Sequence, residues 1–190
     1  MANTCFTSYV VVFKNEENAN EAKAILESNE DNYYGAQHFH HIEKSFGKDI
    51  ECDPRTIYRK IEVKIENGNE LYLDTESAWN QDEEVRKAFE TKYPDCKVYF
   101  LEDELGEGVY YSNDREHTYF QYPICVSFEA TEANEGDIEY FHNREEVIER
   151  FNALYGKDCK TFEEVEKEAD YLDEDNEDDY FNIYEMDYEM

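Results

Sequence analysis

Ile61, Val63 and Ile65 alternate with Lys60, Glu62 and Lys64, and beyond Asn67-Gly68-Asn69 the alternation resumes, with Leu71 and Leu73 set between Glu70, Tyr72 and Asp74. A period of two marks strands with one buried face, and the loop between them sets the register. A two-residue turn at Asn67-Gly68 would place Val63 opposite Tyr72 and put both leucines on the lysine face. A three-residue loop pairs Ile65 with Leu71 and Val63 with Leu73 on one apolar face, and Gly and Asn accept the positive φ that such loops need. The spacing predicts a hairpin closed by the three-residue loop.

The rest of residues 61–101 extends that hairpin. After Trp79, the residues Asn80 to Glu84 place acidic groups in the first turn of a helix, where the backbone dipole favours them. Val85, Ala88, Phe89 and Tyr93 fall at helical spacing, and Pro94 ends the run. Cys96, Val98 and Phe100 then form the buried face of another strand. Upstream, residues 4–13 read as a strand covered on both faces at its Tyr9-Val10-Val11-Val12-Phe13 end, and Asn15 caps a helix with Ala19, Ala22, Ile25 and Leu26 as its apolar stripe. Between about residues 28 and 56 lies a polar insertion. The order is βαββαβ, an α+β class in which a ferredoxin-like antiparallel sheet carries its helices on one face.

The N-terminal run Ala2-Asn3-Thr4-Cys5-Phe6, the segment Asp74-Thr75-Glu76-Ser77-Ala78-Trp79, the helix ending Lys92-Tyr93-Pro94, and Gly106-Glu107-Gly108 resemble the YubB-like ferredoxin-like family of plasmid and phage proteins over about residues 2–112. The resemblance implies that fold and a mobile-element setting, and it brings no catalytic residues.

Further strands are predicted at residues 109–112, 116–122, 124–130 and 138–141, with turns at Asn113-Asp114 and Asn134-Glu135-Gly136. Asn143 with Glu146, and Thr161 with Glu164, have capping-box spacing and open two C-terminal helices. Their stripes are Val147, Ile148, Phe151, Leu154, Tyr155 and Phe162, Val165, Ala169, Leu172. The expected organisation is a ferredoxin-like domain over residues 1–142, a helical pair over 143–172 packed on it, and an acidic tail over 173–190. From Glu168 to Met190 there are 11 acidic residues and no Lys or Arg, yet Tyr180, Phe181, Ile183, Tyr184, Met186 and Tyr188 interrupt them, so part of this stretch is expected to dock.

Charge bears most on partners. With 49 acidic against 18 basic side chains the net charge is −31, which opposes binding to a phosphate backbone or an anionic membrane and favours a basic protein surface. An aromatic content of 16% argues for a folded body in spite of that repulsion. Five single cysteines without a CxxC pair, and no secretory signal or apolar span, point to a reduced, cytoplasmic setting.

A globule of this length is roughly 40 Å across, and duplex DNA carries one charge per about 1.7 Å, or roughly 24 over that length. An acidic chain can therefore imitate DNA if one side holds most of its charge. The candidate partner-binding residues are Glu102, Asp103, Glu104 and Glu107; Glu129, Glu132, Glu135, Asp137 and Glu139; and Asp173, Glu174, Asp175, Glu177, Asp178 and Asp179. His38, His40 and His41 form a weaker metal candidate, with His117, His142 or Cys52 to complete four ligands. The tail does not make an EF-hand, because Asp178 stands where glycine is required and Tyr184 where the bidentate glutamate belongs. No nucleophile, phosphate-loop or dinucleotide motif is present, and Trp79 reads as core. The expectation is a non-enzymatic, cofactor-free DNA mimic of anti-defence type that inhibits a basic, nucleic-acid-processing host protein. The alternative is a ligand- or metal-binding module built on the histidine-bearing insertion.

Overall fold

The computed structural model describes residues 4–28, 31–33, 36–38, 59–78, 83–131, 133, 135–175 and 179–189. They form two compact units, one ending at Asp114 and the next beginning at Arg115.

The first unit opens with β1 (Thr4–Val12) and α1 (Glu16–Ser28), then β2 (Asp31–Tyr33) and β3 (Ala36–His38). It continues through β4 (Arg59–Glu66), β5 (Glu70–Ala78), α2 (Glu83–Lys92), β6 (Lys97–Glu104) and β7 (Val109–Ser112). The strands lie in the order β7-β6-β1-β5-β4-β3-β2, each antiparallel to its neighbours. The predicted hairpin register holds: Val63 faces Leu73, Ile65 faces Leu71, and Glu66 faces Glu70 across the three-residue loop. Asn67 and Gly68 take φ of 50° and 81°, the left-handed values that the loop requires.

Register builds the core. Tyr9 pairs with Leu73 and Phe100, and Val11 with Leu71 and Val98. That face is covered by Ala19, Ala22 and Leu26 of α1 and by Val85, Ala88, Phe89 and Tyr93 of α2. Asn15 caps α1 as predicted, its Oδ1 accepting from the Asn18 amide at 2.9 Å. Val10 and Val11 are both buried although they point to opposite faces, so the middle of β1 is covered on both sides.

The second unit contains β8 (Ile124–Ala130), β9 (Glu135–Phe141), α3 (Arg144–Tyr155), α4 (Phe162–Asp175), β10 (Tyr180–Glu185) and β11 (Asp187–Tyr188). Its sheet has the order β10-β8-β9, antiparallel throughout. Ile124, Val126 and Phe128 pack with Val147, Phe151, Phe162, Val165 and Phe181 in a separate core. Both predicted helix caps form, and at Thr161 the box closes fully, with the Thr161 amide donating to Glu164 at 3.3 Å. Asn143 Oδ1 accepts from the Glu146 amide at 3.0 Å, while Glu146 accepts from the His142 amide at 2.9 Å. Thr161 Oγ1 accepts from the Glu164 amide at 3.2 Å, and Glu164 returns a bond from the Lys160 amide at 2.6 Å.

Several expectations are corrected. Residues 1–142 are not one domain, because β8 and β9 pair with β10 and bury their apolar face against α3 and α4. The segment 173–190 is not a tail: α4 runs to Asp175, and β10 completes the second sheet with Phe181 buried. No strand forms at 116–122, where His117 adopts φ of 53° and breaks the extended path. Asn113 also ends β7 by taking a backbone role, accepting from the Phe100 amide at 2.9 Å and donating to the Val98 carbonyl at 2.8 Å. The expected turn at Asn134-Glu135-Gly136 gives way to β9, which already includes Glu135 and Gly136. Trp79 and most of the insertion lie outside the described residues, and the insertion contributes the short β2–β3 hairpin.

Candidate interaction surface

Not all of the acidic residues singled out in the sequence reach the surface. Glu102 and Glu104 are only 5% and 4% exposed and cannot present charge to a partner. The reason lies in the period of β6, where Val98, Phe100, Glu102 and Glu104 occupy successive inward positions. Glu102 accepts a 3.6 Å hydrogen bond from the Cys5 thiol, beside buried Thr7, Thr75 and Ser77. Burial first, and the Glu102 charge second, push the Cys5 thiol up to about 12. Glu104 is spent on a turn, accepting from the Glu107 amide at 2.6 Å. Asp103 is half-buried and Glu107 exposed.

In the second unit, Glu129, Glu135 and Asp137 are exposed and Glu139 is half-buried. Arg150 gathers two of them, its Nη2 lying 2.7 Å from both Glu135 and Glu139. These hydrogen bonds, led by Glu139, hold the Arg150 guanidinium above its ordinary pKa, while the same group lies 5.2 Å from the Phe128 ring centroid. Asp179 is tied to the turn after β8, accepting from the Thr131 amide at 2.7 Å. Asp173, Glu174 and Asp175 belong to the last turn of α4, and Glu132, Glu177 and Asp178 lie outside the described residues.

A different set of acids is exposed, and sequence reading passed over it. Glu163, Glu166 and Asp170 stand at i, i+3 and i+7 on α4, all exposed, with Glu145 and Glu149 exposed on α3. A helical rise of about 1.5 Å per residue spreads the three α4 carboxylates over about 10 Å, roughly one per 5 Å. Each strand of DNA offers one phosphate per about 3.4 Å. The signal was available, because these positions are what remains once the apolar stripe Phe162, Val165, Ala169 is assigned. Residues 115–190 hold 24 Asp and Glu against 6 Lys and Arg, a net −18 of the chain's −31, so this shorter unit is the more acidic.

The histidine candidate is not assembled among the described residues, where no three His, Cys, Asp or Glu side chains are grouped for a metal ion. His38 lies in β3, and His40, His41 and Cys52 lie outside the described residues. His117 and His142 serve a loop: their Nδ1 atoms sit 3.1 Å from the Phe120 carbonyl and 3.3 Å from the Gln121 carbonyl. An open cleft of about 220 Å³ beside Lys14, Lys92 and Cys96 has its two lysines matched by acids, Lys14 with Asp95 and Lys92 with Glu21, both at 3.0 Å. Burial raises the Cys96 thiol to about 11, away from thiolate chemistry at neutral pH.

No helix among the described residues is long and apolar enough to cross a membrane. No family model, no curated protein and no solved structure matches this chain.

Proposed function

We propose that this chain is a cytoplasmic, non-enzymatic acidic protein that binds a basic surface on a host nucleic-acid-processing protein and blocks it by standing where phosphates would stand. The observation that carries this reading is the α4 stripe of Glu163, Glu166 and Asp170, in the unit with the greater share of net charge. Charge at that spacing attracts a basic groove from a distance and loses its hold as salt screens it. Thiols pushed up by burial at Cys5, Cys96 and Cys159 argue against a thiolate nucleophile at those three positions.

The ferredoxin-like reading of the first unit is part of the same proposal. It is supported by the order β6-β1-β5-β4, with α1 and α2 contributing to one core on one face of the sheet. The mobile-element setting, with its YubB-like resemblance, supplies the reason for a host target.

The test is capture of host-lysate proteins on the tagged chain at low and physiological salt, with duplex DNA as competitor and the E163K/E166K/D170K variant in parallel. A dominant basic nucleic-acid-binding protein that DNA displaces and the variant fails to retain supports the reading. No retained protein at either salt, or equal retention by the variant, overturns it.

A further inference from the structure

Strand β9 is the edge of the second sheet and, among the described residues, pairs only with β8. Its outer side therefore presents backbone N–H and C=O groups to an incoming strand, although the Ile138 amide already donates to Asp137 Oδ1 at 2.8 Å and would have to be released. Charged side chains guard natural edges against neutral strands, and on β9 the charges stand on the core-side face alone. Asp137 and Glu139 pair with Phe128 and Val126 on the core side, whereas Ile138 and Tyr140 pair with Ser127 and Cys125 on the open side. Ile138 and Tyr140 are 47% and 44% exposed.

On the open side the apolar residues of β9 are joined by Tyr122 from the loop before β8. Five large hydrophobic residues are exposed in the described chain, and three of them, Tyr122, Ile138 and Tyr140, gather at this place. The Tyr122 and Tyr140 rings lie 6.4 Å apart, and His142 stacks on Tyr122 at 4.4 Å. An exposed apolar cluster beside an unpaired strand edge is an interaction surface in waiting.

We propose that β9 accepts an extended segment of a partner protein as an added strand, and that this segment alternates basic with apolar side chains. The occupant follows from the two faces. An added strand lies about 4.8 Å from β9, so its side chains fall alternately beside Glu135, Asp137 and Glu139 and beside Ile138 and Tyr140. Lysine or arginine suits the first set, where Arg150 pairs with Glu135 and Glu139 while Asp137 accepts, among the described residues, only from the Ile138 amide. Valine, isoleucine or leucine suits the second. The net charge of −31 works against a second copy of this chain as occupant, since it would bring two acidic edges together. The surface is separate from the α4 stripe, and it stands or falls independently of the phosphate-mimic reading.

The probe is a labelled peptide of about ten residues alternating lysine with valine, read by fluorescence anisotropy and by amide shifts along β9. Two controls keep its composition: one groups the lysines and valines in blocks, and one carries N-methyl groups that remove every second ladder donor. The alternating peptide is expected to bind wild-type protein at physiological salt about tenfold or more tighter than either control. I138K/Y140K is expected to lose that margin, while E163K/E166K/D170K keeps it. Equal binding of all three peptides to the wild-type protein, binding unchanged in I138K/Y140K, or no binding of the alternating peptide overturns the proposal. The peptide controls act on unaltered protein, so a folding defect in a variant does not decide the outcome.

Discussion

Arg150 holds Glu139 in a two-point grip, with Nε 2.9 Å and Nη2 2.7 Å from the carboxylate oxygens. The pair ties α3 to the edge strand β9, while the guanidinium of Arg150 lies over Phe128. Replacing Arg150 by methionine keeps the apolar stem and removes the charge-assisted bonds, which should cost about 1–2 kcal/mol. Urea midpoints of R150M, E139Q and the double variant should show coupling, with the double variant less destabilised than the sum of the singles. Additive losses would mean that the pair contributes nothing of its own.

The Cys5 thiol gives the first unit a weakness to alkali. Its pKa is raised from 9.0 to about 12 in the folded chain, so the folded state holds the proton where the unfolded state releases it. The resulting stability is complete below pH 9 and is lost as pH climbs toward 12. Between pH 8 and 10 the wild type should lose about 1 kcal/mol more than Cys5→Ala, measured by urea unfolding at each pH. A parallel pH dependence of the two proteins would remove Cys5 as the cause.

The hairpin loop helps to fix the register of β4 against β5 through its left-handed backbone. At Gly68, φ of +81° makes any Cβ strained even though no atom lies closer than 3.9 Å to where it would sit. Gly68→Ala should cost about 1 kcal/mol, read as a shift in the thermal midpoint with an unchanged far-ultraviolet spectrum.

Salt should stabilise the whole chain. At −31 the folded state repels itself more than the expanded one, and added sodium chloride screens that repulsion. Melting temperature is expected to rise from low to physiological ionic strength. A fall would mean that ion pairs such as Lys157 with Glu168, at 2.7 Å, outweigh the net repulsion.

Local rules were legible in the sequence where their causes are local. Alternation and loop length gave the register of Ile65 with Leu71, and capping-box spacing gave the starts of α3 and α4. The same alternation, followed four residues past Phe100, turns Glu102 and Glu104 inward. The failure at 116–122 has a long-range cause. His117 is held left-handed with Nδ1 at the Phe120 carbonyl and Nε2 3.1 Å from the Tyr188 hydroxyl, a partner 71 residues away. The division into units was hidden for the same reason, since β8 finds one of its two partners in β10, across both helices.

That last pairing has a consequence for biosynthesis. A nascent chain made as far as Asp175 already contains β8, β9, α3 and α4, but the side of β8 that β10 will occupy is bare, and Phe128 and Phe151 lack the ring of Phe181. Contacts of such sequence separation form late, after loop closure has been met. The second unit therefore cannot finish folding during elongation until Tyr180–Glu185 has emerged, and in that interval its hydrophobic centre is open to chaperones, proteases and other nascent chains.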